Sequence, residues 1–359
     1  KILTCNTEEE FSPSPIEVRE LIKKTNILLS DYPNSPLANL LQGGVYFAKS
    51  NVPIINEEND INLFEESLLK SFNRSKEILY YSPNDAITYY TFYLSTVFLT
   101  KFYLSDNKLF DASYIAEEFL DFNEENNLLS SLFPWPLVMS IGSVFHDSYQ
   151  YTEFSRVSKI ALNNAYKLNS PIENVISLYT HVATSYYNLE EYDSSKVYYN
   201  KILDGFDEMG YSINVVKSRA ELYLGMIKIK EEKYLEAVQD LDKLLNILED
   251  NQDTLHSLLV LSKILEPLKE LNKIDHLNTQ IDKMELFINN YKLNSEELME
   301  FYWSISKVLR QIDVNKSEYY KNMAIENMDI FLKQYISLKD KELIKSNHET
   351  LKEINFIIN

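Results

Sequence analysis

Cysteine and glycine are scarce in this chain of 359 residues. The single cysteine, Cys5, excludes an internal disulfide. Only six glycines occur, and glycine is the usual residue in tight turns and phosphate-binding loops. The one paired glycine, in QGGVYF (42–47), lacks the lysine and the serine or threonine of a phosphate loop. This shortage argues against a many-stranded β protein and favours long helices joined by short polar turns.

Positive charge is also in short supply. The chain has 35 Lys and Arg against 54 Asp and Glu, which gives a net charge of −19. Because phosphate groups are bound by clustered Lys and Arg, we expect no direct contact with nucleic acid, and an anionic membrane surface is disfavoured for the same reason. Basic or neutral partners stay open beside a plainer interpretation, in which the charge keeps the chain in solution.

Long hydrophobic runs are missing. The longest uncharged stretch, AITYYTFYLSTVFLT (86–100), has 15 residues and is rich in Thr and Tyr. It is too short and too polar to span a membrane, and it predicts a buried helix. We therefore expect a cytoplasmic protein. The alternative is a lipid-anchored envelope protein, since ILTC (2–5) resembles the box that precedes the lipidated cysteine of bacterial lipoproteins.

Apolar residues recur at a nearly constant interval along the chain. These anchors, spaced by 41, 41, 42, 40 and 40 residues and each followed by an amphipathic run, are Phe110, Tyr151, Tyr192, Tyr234, Ile274 and Val314. Nine residues before three of them stand small residues: Gly142, Ala183 and Gly225. A glycine inside a helix costs about 1 kcal/mol relative to alanine, so its presence indicates close packing of a neighbouring helix. Each unit is therefore predicted to be helix, turn, helix, with the anchor filling the turn.

The N-terminal part follows the same scheme less regularly. Pro33 and Pro83 punctuate successive helices, and SNVPIINEENDIN (50–62) is interpreted as an inserted loop. About eight helix pairs are expected in one continuous array. We divide it into N-terminal pairs over 1–134, the most regular repeats over 135–250, and divergent C-terminal pairs over 251–359.

Two segments carry a resemblance to the tetratricopeptide repeat. The residues that match its pattern are Leu224, Gly225, Tyr234, Ala237, Leu241 and Leu244 in one segment, and Ala183, Tyr186, Tyr192 and Tyr199 in the other, where Ser195 replaces the usual alanine. The resemblance implies an all-α fold, a right-handed superhelical array of antiparallel helix pairs. The period of 40 to 42 residues exceeds the usual 34, and this longer form resembles bacterial regulators that include peptide-sensing transcription factors and related phosphatases.

Catalytic chemistry finds no support in the sequence. None of the five histidines has a His or Cys at helical ligand spacing, so no metal site and no cofactor are predicted. Cys5 has no partner nearby in the sequence that would activate it as a nucleophile. Acidic runs such as AEEFLDFNEEN (116–126) are typical of solvated helix faces. We expect a protein that is not an enzyme.

Arrays of helix pairs bind ligands on the concave surface that their first helices line. Helical spacing around the small residues predicts that this groove contains Ser143, His146, His181, Thr184, Tyr187, Asn188, Arg219, Tyr223 and Met226. Such a mixture of polar groups and aromatic rings suits an extended peptide, although each residue could instead pack against the next repeat.

Two functions follow from this pattern. The first is a non-enzymatic scaffold that binds a peptide or protein, the sensor or regulatory module of a bacterial signalling or transcription regulator. The alternative is an envelope lipoprotein that scaffolds an assembly or transport complex. A homo-oligomer is compatible with either.

Overall fold

The structure, a computed structural model, describes residues 15–50, 60–126, 135–210, 215–335 and 337–358. The regular structure of these residues consists of seventeen α-helices without a strand, which confirms the predicted all-α class. The chain divides into two compact units, Lys1–Leu132 and Phe133–Asn359. Cys5 and most of the predicted loop over 50–62 lie outside the described residues, although α3 already begins at Asp60.

The first unit contains a leading helix and two helix pairs. Its helices are α1 (Pro15–Asp31), α2 (Pro36–Ser50), α3 (Asp60–Tyr81), α4 (Ala86–Ser105) and α5 (Leu109–Glu125). Pro33 and Pro83 fall in the turns, as predicted. Helix α4 is buried along most of its length. The hydroxyls of Thr91, Thr96 and Thr100 donate to the carbonyl oxygens four residues earlier, so these polar side chains are satisfied within the core. This confirms that the uncharged stretch is a buried helix.

The second unit contains six helix pairs. They are α6 (Trp135–Asp147) with α7 (Tyr151–Lys167), α8 (Ile172–Asn188) with α9 (Tyr192–Glu208), α10 (Val215–Lys230) with α11 (Tyr234–Asp250), α12 (Thr254–Glu270) with α13 (Ile274–Asn290), α14 (Ser295–Leu309) with α15 (Val314–Lys333), and the short α16 (Leu338–Asn347) with α17 (Glu349–Ile358). Five helices begin at the predicted anchors Tyr151, Tyr192, Tyr234, Ile274 and Val314. The repeat period is thus confirmed.

The small residues lie where the two helices of a pair approach. A Cβ atom at Gly142 would stand 2.8 Å from Val157 Cγ1, and one at Gly225 would stand 2.7 Å from Leu241 Cδ2. In the intervening pair the Ser195 hydroxyl donates to the Ala183 carbonyl oxygen over 2.9 Å. A serine in place of alanine at 195 therefore adds a hydrogen bond between α8 and α9.

The role of the anchors is only partly as predicted. Tyr151, Tyr192, Tyr234 and Ile274 are half-buried, but Val314 is 70% exposed and Phe110 is 41% exposed. These two residues therefore do not fill a turn. The N-cap of α15 is Asp313, whose side chain accepts a hydrogen bond from the Lys316 backbone N–H, so a polar cap precedes the helix there.

The turns explain how the chain manages with so few glycines. Among the residues that the structure describes, seven other than glycine have a positive φ and lie in turns between helices: Asn107, Tyr149, Asn169, Glu190, Glu232, Gln252 and Asn272. At Glu190 the turn is closed by the N–H of Glu191 on the Tyr186 carbonyl and by the N–H of Glu190 on the Tyr187 carbonyl. These two hydrogen bonds hold a left-handed conformation that is usually given to glycine.

Candidate ligand-binding surface

The first helices of consecutive pairs in the second unit lie side by side: α8 contacts α10, α10 contacts α12, and α12 contacts α14. We call the surface formed by α6, α8, α10, α12 and α14 the first-helix surface. It carries the residues that the sequence assigned to a groove. A contact between distant pairs shows that the array curves. The Tyr149 hydroxyl, in the turn after α6, donates to the Glu296 carboxylate at the start of α14. The first and fifth pairs of the unit therefore meet.

An aromatic cluster brings four of the predicted residues together. Tyr223 stacks on Tyr199 with ring centroids 5.1 Å apart, and Tyr187 meets Tyr223 edge to face at 5.0 Å. The hydroxyls of Thr184 and Tyr199 lie 3.0 Å apart, and Asn188 Nδ2 donates to the Thr184 carbonyl over 3.0 Å. Burial raises the pKa of the Tyr187 and Tyr223 hydroxyls above its ordinary value. Both hydroxyls are therefore neutral at neutral pH.

The two predicted histidines flank one phenylalanine of α7. The His146 ring lies 5.1 Å from the Phe154 ring and the His181 ring lies 5.8 Å from it. His146 is exposed and contacts Asp147, whereas His181 is half-buried. Burial lowers the pKa of His181 to about 4, with smaller effects in the same direction from His146 and Arg219. His181 is thus a neutral imidazole at neutral pH.

The remaining predicted residues differ in accessibility. Arg219 is exposed on α10. Burial raises the pKa of the Tyr199 and Tyr223 hydroxyls, and the positive charge of Arg219 reduces this increase, so Arg219 lies near the aromatic cluster. Ser143 is half-buried on α6. Met226 packs against the core of the following pairs, and Thr184 is buried. Tyr187, Asn188, Arg219 and Tyr223 are thus the predicted residues that lie at the aromatic cluster and keep part of their surface exposed. His146 is exposed on α6, and Ser143, His181 and Met226 are half-buried.

A buried polar cluster that the sequence did not reveal joins the C-terminal segment to this surface. His348 is 2% exposed, its ring lies 4.7 Å from the Tyr149 ring, and its Nε2 lies 3.4 Å from Glu296 Oε1. Although burial favours the neutral form of Glu296, contacts from His348 and the Tyr149 hydroxyl bring the pKa of its carboxyl below the ordinary value. Asn347 Nδ2 also donates to the Ser148 carbonyl over 3.5 Å.

Helix α17 therefore lies against the first-helix surface. Its Glu353 accepts a hydrogen bond of 2.6 Å from Trp303 Nε1 and pairs with Lys307 Nζ at 3.0 Å, both on α14. Its Glu349 lies 4.0 Å from Lys230 at the end of α10 and contributes to the raised pKa of Tyr187. Leu351 and Ile354 are fully buried between these contacts. The amphipathic pattern of 349–358 could have suggested a packed helix, but no local signal indicates which surface receives it.

Metal and membrane sites find no candidates in this part of the molecule. Within the described ranges, no group of three or more His, Cys, Asp or Glu side chains is arranged to hold a metal ion. None of the helices described is long and apolar enough to cross a membrane.

The pKa of His181 leads to a testable pH dependence. Between about pH 6.5 and pH 4 the unfolded chain binds a proton at this position that the folded chain does not, so stability falls as the pH falls. We expect His181→Gln to remove up to about 1.4 kcal/mol per pH unit of this loss. Urea denaturation of the wild type and of His181→Gln at a series of pH values measures it. Coincident profiles for His181→Gln and the wild type would contradict the assignment.

Comparisons with known proteins identify the fold. No protein-family model and no curated protein matches the sequence. Among solved structures, a tetratricopeptide repeat protein from Parabacteroides merdae is 14% identical, with a TM-score of 0.50 over 91% of this chain and 97% of the other. The apo form of RapI is 13% identical, with a TM-score of 0.53 over 83% and 99%. The apo form of the quorum sensor NprR from B. thuringiensis is 12% identical, with a TM-score of 0.52 over 95% and 97%.

These similarities cover most of each chain at low sequence identity, so they concern the fold. They agree with the array of helix pairs described above. The chain has the tetratricopeptide-repeat-like fold of helical-repeat proteins, in the long-period form that its sequence predicted.

Proposed function

We propose that this protein is a non-enzymatic scaffold that binds a peptide, or an extended segment of a protein, on the first-helix surface of its second unit. The observation that carries the proposal is the patch of Tyr187, Asn188, Arg219 and Tyr223, which two consecutive first helices contribute. Tyrosine rings supply contact area at a low cost in conformational entropy, and amide and guanidinium groups supply hydrogen bonds. Such a patch is suited to the main chain and the mixed side chains of a peptide.

The fold similarities support a role as a sensor module in a bacterial signalling or transcription regulator. NprR is a quorum sensor, and a Rap protein with a TM-score of 0.50 and 12% identity to this chain was solved in complex with the competence and sporulation factor. In this proposal the protein acts in the cytoplasm, and its output depends on a bound segment rather than on catalysis. In this proposal the chain itself does not contact nucleic acid, because its net charge of −19 repels phosphate groups.

The test is selection of binding peptides followed by titration. Panning a displayed library of random peptides on the full-length chain yields the probe, and calorimetry measures its affinity. We expect Asn188→Ala and Arg219→Ala each to weaken binding by about 1–3 kcal/mol, roughly 5- to 150-fold, because each removes a hydrogen-bonding group from the interface. Circular dichroism should show an unchanged helix content.

A matched control comes from the second helix α11. Asn251 donates to the Ile247 carbonyl four residues earlier, as Asn188 donates to Thr184, and Lys243 is an exposed cation on the same helix. The double variant Lys243→Ala/Asn251→Ala should bind the selected peptide like the wild type. If the Asn188→Ala/Arg219→Ala variant also binds like the wild type, the peptide lies elsewhere and the proposed site is wrong.

A further inference from the structure

We propose that α17 is an internal stand-in for the ligand, and that the partner of this protein is an amphipathic segment whose carboxylate takes the place of Glu353 between Trp303 and Lys307. The proposal rests on the proposed function and gives it a ligand chemistry. It follows from three features of the second unit: a built carboxylate site, a helix that already fills it, and the contact of that helix's first turn with α10, which carries Tyr223 and Arg219.

The carboxylate site consists of two donors one helical turn apart on α14. Trp303 is 3% exposed, and its Nε1 can only donate, so removing Glu353 would leave a buried N–H without a partner. Lys307 Nζ lies 3.1 and 3.0 Å from the two oxygens of the same carboxylate. Burial acts in the opposite direction, but the contacts from Trp303 and Lys307 hold the pKa of Glu353 below its ordinary value. The site is therefore selective for an anion with a planar pair of acceptors.

The apolar part of the site lies next to this pair. Leu351 and Ile354 of α17 are fully buried, whereas Lys352, between them, is exposed. One carboxylate with apolar side chains two residues before it and one residue after it thus forms the buried face of α17. A partner that competes for the surface has to present the same combination: one acidic side chain flanked by aliphatic ones.

The position of α17 makes its docking and ligand binding compete. Glu349 at its first turn lies 4.0 Å from Lys230, at the end of the helix α10 that also carries Arg219 and Tyr223. Tyr187 belongs to the patch proposed to hold the peptide, and its ring contacts Tyr223. A segment that covers both the carboxylate site and the aromatic cluster cannot bind until α17 leaves. Since α17 is tethered to the same chain, its effective concentration at the site is in the millimolar range, and a free ligand has to overcome it.

The experiment uses the isolated sequence of this segment as the probe. A fluorescein-labelled peptide with the sequence SNHETLKEINFIIN (346–359) is titrated into the full-length wild type and into full-length Leu351→Asp, in which a charge on the buried face releases the internal helix. We expect the variant to bind the peptide at least ten-fold more tightly than the wild type. A peptide that carries E353Q should bind the variant at least five-fold more weakly than the unchanged peptide.

Two controls separate release of the helix from damage to the fold. Lys352→Asp places the same charge on the exposed face of α17 and should leave the affinity of the wild type unchanged. If Leu351→Asp loses helix content, the full-length double variant Glu349→Gln/Glu353→Gln replaces it, because it removes the polar contacts without burying a charge. The same increase in peptide affinity is then expected.

The inference and the proposed function fail in different ways. Equal binding of the labelled peptide to wild type and variant, or no binding to either, overturns the inference. If a peptide selected from the random library still depends on Asn188 and Arg219 in that case, the proposed function stands. If the library peptide is displaced by the labelled peptide on Leu351→Asp, both use one surface, as the structure predicts.

Discussion

Replacement of Tyr199 by alanine is expected to lower the free energy of unfolding of the second unit by about 3–5 kcal/mol, the range for removing a large aromatic side chain from a core. Tyr199 of α9 is fully buried and packs against residues of α8 and α10. Its ring stacks on Tyr223, and its hydroxyl lies 3.0 Å from that of Thr184. Alanine leaves a cavity next to the aromatic cluster and removes the contact to the Thr184 hydroxyl, and chemical denaturation measures the loss.

Two further substitutions separate the packing of Tyr199 from its hydrogen bond. Tyr199→Phe keeps the ring and removes only the hydroxyl, so a loss of about 1 kcal/mol is expected. Tyr319→Ala removes a tyrosine that is 59% exposed on α15 and should cost less than about 1 kcal/mol. A loss for Tyr199→Ala no larger than that for Tyr319→Ala would show that the cluster does not hold α8 and α10 together.

Replacement of Gly225 by leucine is expected to cost about 1–3 kcal/mol through overpacking. A Cβ atom at this position would lie 2.7 Å from Leu241 Cδ2 and 3.0 Å from Leu241 Cγ. Leu241 is fully buried on α11, so the added side chain has to displace packed atoms between the two helices of the pair. The melting temperature of the full-length protein measures the effect.

The close contact at Gly225 can be tested by relieving it. Val215→Leu adds volume at a position on the same helix that is 52% exposed and should leave the melting temperature nearly unchanged. Leu241→Ala in the Gly225→Leu background should cost less than the sum of the two single changes, because each fills or empties the same space. Strict additivity would mean that residues 225 and 241 do not meet.

Much of the fold could be predicted from the sequence because each helix pair carries its own local sequence signals. Every regular pair repeats three features: a helical period of 3.6 residues, a small residue at the helix crossing and an anchor at a helix start. A prediction that is ambiguous in one pair can therefore be checked against the next pair. The anchors of α7, α9, α11, α13 and α15 mark helix starts for this reason. The anchors at Phe110 and Val314 show the limit of the pattern, since position in the repeat predicts where a helix begins but not how deeply its first residue is buried.

The candidate site was less accessible to this reasoning. Helical spacing selects the residues of a first helix that point away from its partner, but it does not tell the exposed Arg219 from the packed Met226 or the buried Thr184. That difference depends on the size of the neighbouring side chains in the next pair. The sequence therefore places these residues on the first helices of consecutive pairs, while the accessibility of each side chain depends on packing that the sequence does not reveal.

The C-terminal segment lay beyond sequence reasoning altogether. Tyr149 and Glu296 are 147 residues apart in the chain, and Asn347 reaches the carbonyl of Ser148 from 199 residues away. Contacts of this kind depend on the curvature that successive pairs accumulate along the array. The sequence pattern of residues 337–358 does not predict that curvature, so the surface on which α17 lies could be found only in the structure.

Photo-crosslinking from the first-helix surface tests the central claim most directly. Tyr187 is replaced by benzoylphenylalanine in the full-length protein, and Tyr319 is replaced in the same way as the exposed control on a second helix. If the first-helix surface binds the ligand, a peptide selected from the random library crosslinks to position 187 on irradiation and not to position 319. Crosslinking at 319 alone, or a library that yields no binding peptide at all, would contradict the account.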